Sequence, residues 1–155
     1  MATVSATRAV STSPVPGTGT LRVAHGTYTH AENLPAATII EYCRLPKGAV
    51  VVGGWYGGSD LDTNGTEEID IDIGWAANGV DVADPDGFGN LGAGLTGDVS
   101  VHLGAAGLWF PIQNTLLTGG PITFGAETVC QAVINTDAAT GGTGTTSLVL
   151  YFYVP

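Results

Sequence analysis

Positive charge is what this chain has least of. Lysine and arginine number four against fourteen aspartate and glutamate residues, for a net charge of -10 at neutral pH. Sequence-independent binding to nucleic acid depends on cations that displace counterions from the phosphates. Neither DNA nor RNA is therefore expected as a partner, and an anionic membrane surface is disfavoured on the same ground. Charge of either sign is scarce, at 12% of the residues, about half the usual ~25%. Long apolar runs are missing as well. No segment has the roughly 18 apolar residues of a membrane-spanning helix, and no apolar run follows the first residues as it would in a signal peptide. Synthesis in a cytosol without export by these routes is the expectation.

Cysteine is limited to Cys43 and Cys130. In a reducing cytosol two small buried hydrophobes are the better reading than a disulfide, and their separation in sequence does not say whether they meet. The recurrent signatures of catalysis are also absent. There is no Gly-x-Ser-x-Gly elbow, no phosphate-binding glycine loop that opens a helix, and no Cys with a nearby His. His25, His30 and His102 lack metal-ligand spacing. No enzyme is expected.

What the chain does have is glycine, 24 residues in 155, about twice the usual ~7%, with abundant Thr and Val. Such a composition favours strands and turns over helices. With a mean hydropathy of +0.26 and so little charge, part of the apolar content is expected to be covered by other molecules.

The clearest strand signal lies in residues 68–73, where Ile69, Ile71 and Ile73 fall on one face and Glu68, Asp70 and Asp72 on the other. The apolar run at residues 48–56 is the expected partner of that strand, through a turn-rich loop carrying Asn64 and Gly65. Further strands are expected at residues 20–29, 38–45, 98–103, 108–111, 121–124, 127–135 and 147–154. The last of these has no polar face and is expected in the middle of a sheet. Residues 77–97, rich in Gly and carrying Asp-Pro-Asp-Gly at 84–87, read as a long surface loop, and 140–146 as a hairpin loop. Pro14, Pro16 and Gly17 exclude regular structure near the N-terminus. The expected fold is all-β: a single β-sandwich domain of jelly-roll type over residues 19–155, with an extended N-terminal arm over residues 1–18.

Two constellations are candidates for binding. Asp60-x-Asp62-x-Asn64-Gly65 opens like a calcium loop, with oxygens at alternate positions followed by a glycine turn, but Ile71 stands where an EF-hand needs its bidentate Glu. Asp60, Asp62 and Asn64 are accordingly candidate ligands of a calcium site outside that family, against the plain reading of an acidic solvated turn. The aromatic pairs Trp55-Tyr56 and Trp109-Phe110 form the second. Neighbours in a strand face opposite ways, so one member of each pair can fill the core while the other meets a sugar or a protein. Val4, Val10 and Val15 are the candidate anchors of the arm on a neighbouring molecule.

The stretches GTLRVAHGTYT at 19–29, RLPKGAVVVGG at 44–54, EIDIDIGW at 68–75 with VDVADPDGF at 80–88, and LVLYFYVP at 148–155 follow one another in an order that resembles small β-rich virion structural proteins of tailed bacteriophages. The resemblance is to capsid decoration or cement proteins in particular. The resemblance spans residues 19–155 loosely, and its motifs are structural in kind. It implies a non-enzymatic protein, made in the host cytoplasm, that binds the outer surface of a shell of major capsid protein. It further implies a homo-oligomer, often a trimer, that bridges adjacent capsomers against internal DNA pressure. No interface residue transfers position by position. The alternative is a carbohydrate-binding β-sandwich, with or without the help of calcium, that contacts host-surface glycans.

Overall fold

The structure, a computed structural model, describes residues 3–5, 20–31, 33–64, 68–91, 108–112 and 120–155. Ten strands are formed among them: β1 (Thr3–Ser5), β2 (Arg22–His30), β3 (Ile39–Leu45), β4 (Val50–Gly58), β5 (Asp70–Trp75), β6 (Asp84–Leu91), β7 (Leu108–Pro111), β8 (Ile122–Thr123), β9 (Thr128–Thr136) and β10 (Gly144–Tyr153). Among the described residues there is no helix. The strands make two sheets. Sheet A has the order β1-β3-β9-β5-β6, and sheet B the order β2-β10-β4-β7, with β8 also paired to β4.

Four of the antiparallel pairings are nested. β5 pairs with β6, β4 with β7, β3 with β9, and β2 with β10. The chain is thus one long two-stranded ribbon, folded at the β5–β6 tip and rolled into two layers. Burying the apolar row of each layer against the other drives the rolling. Ile40, Ile71, Ile73 and Ile134 of sheet A meet Leu148, Leu150, Phe152 and Tyr56 of sheet B in one buried cluster. As expected, β10 lies mid-sheet, between β2 and β4.

Three local expectations fail. β4 and β5, read above as partners, lie in opposite sheets, because the loop between them carries the chain across the sandwich. Residues 84–91, read as loop, form β6 beside β5. The segment before β10 is not a hairpin loop, since β9 belongs to sheet A and β10 to sheet B. The strand expected at residues 98–103 lies outside the described residues.

Two backbone features set how the layers meet. Gly26 of β2 lies so close to β3 that a Cβ added there would stand 1.9 Å from the Tyr42 carbonyl oxygen. This is the corner where sheet B touches sheet A. On β3 the register with β9 shifts between Glu41 and Cys43. The resulting bulge turns both Tyr42 and Cys43 into the core, although neighbours on a regular strand would face opposite ways. β1 pairs in parallel with β3, placing Val4 beside Ile40, and the Val4 side chain packs on this chain's own core. Val10 and Val15 lie outside the described residues.

Candidate functional site

The outer face of sheet B is the candidate. Alternation along its strands leaves Val23 of β2 and Trp55 of β4 exposed; Val52, at the register shift of β4 against β10, is exposed as well, as is Leu21 just before β2. Register makes these neighbours: Tyr151 lies between Val23 and Gly53, and Val149 between His25 and Trp55. Trp55 is 41% exposed, whereas Tyr56, the other half of its pair, is 1% exposed and belongs to the core. On β7, Trp109 and Phe110 stand opposite Gly57 and Tyr56. The face is dressed with hydroxyls as well, and Thr27 Oγ1 and Ser147 Oγ share a hydrogen bond of 2.8 Å across β2 and β10.

Charge separates the two sheets. No strand of sheet B contains Asp or Glu, while sheet A carries Glu41, Asp70, Asp72, Asp84 and Asp86. Burial, and then repulsion from Asp70 and Asp86, holds the Asp72 carboxyl above the usual range, against a lowering hydrogen bond from Asn135. Asp84 is raised by burial and by its hydrogen bond and repulsion with Asp86. Arg44 offsets part of this charge, 3.8 Å from Glu41 and 3.6 Å from Glu127. The sandwich therefore has an acidic sheet and a carboxylate-free, partly apolar one.

The calcium candidates are arranged differently from a coordination shell. Asp62 is 1% exposed, and its carboxylate accepts five backbone N–H groups. Asn64 and Thr140 donate to Oδ1 at 3.2 and 3.0 Å, and Glu68, Ile69 and Ala139 to Oδ2 at 2.9, 3.3 and 2.8 Å. Burial alone would push this carboxyl up; the hydrogen bonds from Glu68, Thr140, Ala139 and Asn64 outweigh it and bring the pKa to about 2. Asp60 accepts the Asp62 N–H, and Asn64 reaches Thr140 Oγ1. Asp62 is thus surrounded by donor hydrogens where a cation would need lone pairs. Among the described residues no group of three His, Cys, Asp or Glu side chains could hold a metal ion.

One buried polar network lies between the sheets. Thr146 Oγ1 of β10 is 2.9 Å from His30 Nε2 and 2.5 Å from the Tyr42 hydroxyl, which is 3.1 Å from the Tyr56 hydroxyl. The tyrosine rings meet edge to face, as do Tyr28 and His30. Burial raises the pKa of both phenols and lowers His30 to about 4 from the ordinary 6.5. These groups are satisfied by one another and sealed from solvent, which suits a tie between layers and not a reaction centre. A pH dependence follows. The unfolded chain protonates His30 near pH 6.5, while the folded chain resists until about 4, so stability is complete above pH 6.5 and falls as the pH drops towards 4. The expected loss is about 2–3 kcal/mol, measured as urea midpoints between pH 4 and 7; His30→Gln should flatten that slope.

A second exposed apolar feature was not legible in the sequence. In the turn between β5 and β6, Asn78 Oδ1 accepts the N–H groups of Val80 and Asp81, and Asn78 Nδ2 donates to Thr128 Oγ1. Asp81 Oδ2 accepts the Gly125 N–H. This anchored turn leaves Val80 and Val82 at 69% and 84% exposure. The only signal was two valines in a stretch of Gly, Asp and Asn, where the composition argued for solvent.

No protein-family model matches the chain, and no curated protein matches it. Solved structures do. A chain in the capsid of Ralstonia phage GP4 is 24% identical, with 99% of each chain covered and a TM-score of 0.71. A chain in the capsid asymmetric unit of cyanophage Pam1 is also 24% identical, covering 96% of this chain and 97% of that one at a TM-score of 0.65. A chain in the acid-stable capsid structure of Helicobacter pylori bacteriophage KHP30 is 17% identical, covering 88% and 94% at a TM-score of 0.53. The chain shares its β-sandwich, over nearly its whole length, with chains found in three bacteriophage capsid structures.

Proposed function

We propose that this chain is a non-enzymatic structural protein of a phage virion that lies on the outer surface of the capsid shell. Sheet B faces the shell and sheet A faces solvent. The observation that carries this reading is the carboxylate-free, partly apolar face around Trp55, on a fold shared with chains of three phage capsids. A protein of net charge -10 settles against another protein most readily through the face that brings no carboxylate to be desolvated. Trp55 is the natural anchor, because a flat aromatic side chain buries much area at little entropic cost. Bridging of capsomers and assembly of copies into an oligomer, a trimer above all, belong to the same proposal: many modest contacts repeated by symmetry on one shell act together. We read the nested ribbon as a jelly roll in the same sense.

The test is co-sedimentation with shells assembled from the major capsid protein of the same phage. Trp55→Asp and Val23→Asp are each expected to weaken binding about 30-fold while leaving the thermal midpoint within about 2 °C, as for surface substitutions. A double change of Asp70 and Asp72 to Asn on the opposite sheet is expected to leave binding unaltered. Binding that survives both aspartate substitutions would remove sheet B from the interface.

A further inference from the structure

The two cysteines stand directly opposite each other. Cys43 of β3 and Cys130 of β9 are partners in the antiparallel register, 2% and 0% exposed, and both are free thiols. Directly opposed residues of such a pair have Cα atoms about 4.5–5.5 Å apart, inside the roughly 4.4–6.8 Å range that a disulfide spans. The bulge makes this meeting possible. On a regular strand Tyr42 would stand opposite Cys130, and Cys43, one residue on, would turn to the outer surface of sheet A.

We propose that Cys43 and Cys130 are a cross-strand disulfide site, open in a reducing cytosol and closed by a two-electron oxidant, a small peroxide being the one suited to so enclosed a place. One thiol, as its thiolate, attacks the peroxide; the O–O bond breaks, water leaves and a sulfenic acid remains. The second sulfur then attacks the first. The S–S bond forms as the S–O bond breaks, and a second water departs with the remaining thiol proton. Two thiols and one peroxide give one disulfide and two waters. Burial, together with the Cys43 thiol hydrogen-bonded beside it, pushes the Cys130 thiol well above its usual range, so closure in the folded chain is slow. The bond ties β3, which carries β1 on its outer edge, to β9 within sheet A. It closes a long loop, the case in which a cross-link restricts the unfolded chain most. This inference rests on register and burial alone and is independent of the capsid reading.

The experiment takes the reduced chain along two routes: native protein held in hydrogen peroxide, and denatured protein refolded in a mixture of oxidised and reduced glutathione. The expected product of each is a monomer lighter by about two hydrogen masses, with unaltered circular dichroism and a thermal midpoint higher by about 10 °C. Cys130→Ala treated identically should show neither change. Failure to lose the two hydrogens by either route, or a disulfide form without the native β signal, would overturn the proposal. So would equal stabilisation of the alanine variant.

Discussion

Asp62→Ala is expected to destabilise the chain by about 4 kcal/mol, although Asp62 sits in a loop. Its carboxylate is the acceptor for five N–H groups drawn from two segments far apart in sequence: Asn64, Glu68 and Ile69 after β4, and Ala139 and Thr140 before β10. The crossing loop is held to its neighbour by further bonds, Thr63 N–H to the Thr140 carbonyl and Gly142 N–H to the Leu61 carbonyl. Removing the acceptor leaves buried donors unpaired, at about 1–3 kcal/mol for each group that finds no water. Asp62→Asn keeps one acceptor oxygen and turns an amide N–H₂ towards the remaining donors, for a loss of about 2–3 kcal/mol. The same carboxylate adds an acid dependence below that of His30. Its contribution is complete above the unfolded pKa near 3.8 and fades as the pH falls through about 2. Equilibrium denaturation in urea reads all three quantities, and a loss under about 1 kcal/mol for the alanine variant would contradict the assignment.

Gly26→Ala should be nearly as damaging, for an unrelated reason. The added Cβ would lie 1.9 Å from the Tyr42 carbonyl oxygen, 2.6 Å from its carbon and 2.9 Å from its Cα. All three are backbone atoms, so no side chain can swing aside; β2 must separate from β3. That shift would disturb Tyr42, whose hydroxyl joins Thr146 and Tyr56 across the layers. A cost of at least about 3 kcal/mol is expected, at the upper end for an overpacked core, with weakened protection of the Thr146 region in hydrogen exchange. Gly53→Ala in β4 is the control: its Cβ would meet only the Tyr151 ring at 3.9 Å.

How far the sequence could be read depended on whether the deciding interaction was local. The alternation at Ile69, Ile71 and Ile73, and the two-faced apolar strand ending in Tyr153, are properties of single strands, and both strands form where expected. Pairing is not a single-strand property. Strands adjacent in sequence usually neighbour one another, so β4 and β5 were natural partners on paper. Asp62 decides otherwise, by holding the loop after β4 against residues 139–140 of the returning chain. Its recognition as a special residue was available from the Asp-x-Asp-x-Asn spacing. Its role was not, because oxygens at alternate positions organise Asx turns as readily as they wrap a cation.

The candidate face was half legible. Opposite facing of Trp55 and Tyr56 followed from the pleat, but which one turned outward required knowing where the core lay. The partition of carboxylates between the sheets was invisible, since it depends on strand order. β6 was hidden by Pro85 and its glycines, residues that oppose strand formation. It forms as an edge strand on β5, where a proline is tolerated.

The nested ribbon has a consequence for how the molecule comes into being. Among the described residues β5 and β6 are the nearest antiparallel partners in sequence, and along the ribbon β4–β7, β3–β9 and β2–β10 join segments progressively farther apart. Contacts at such separation are slow to form, because a large loop has to be closed before any of them is gained. Until β10 has been synthesised, β2 and β4 have no central strand to dock on. Sheet B can be completed only after β10 has left the ribosome, and a chain interrupted before it would leave two unsatisfied edges open to aggregation.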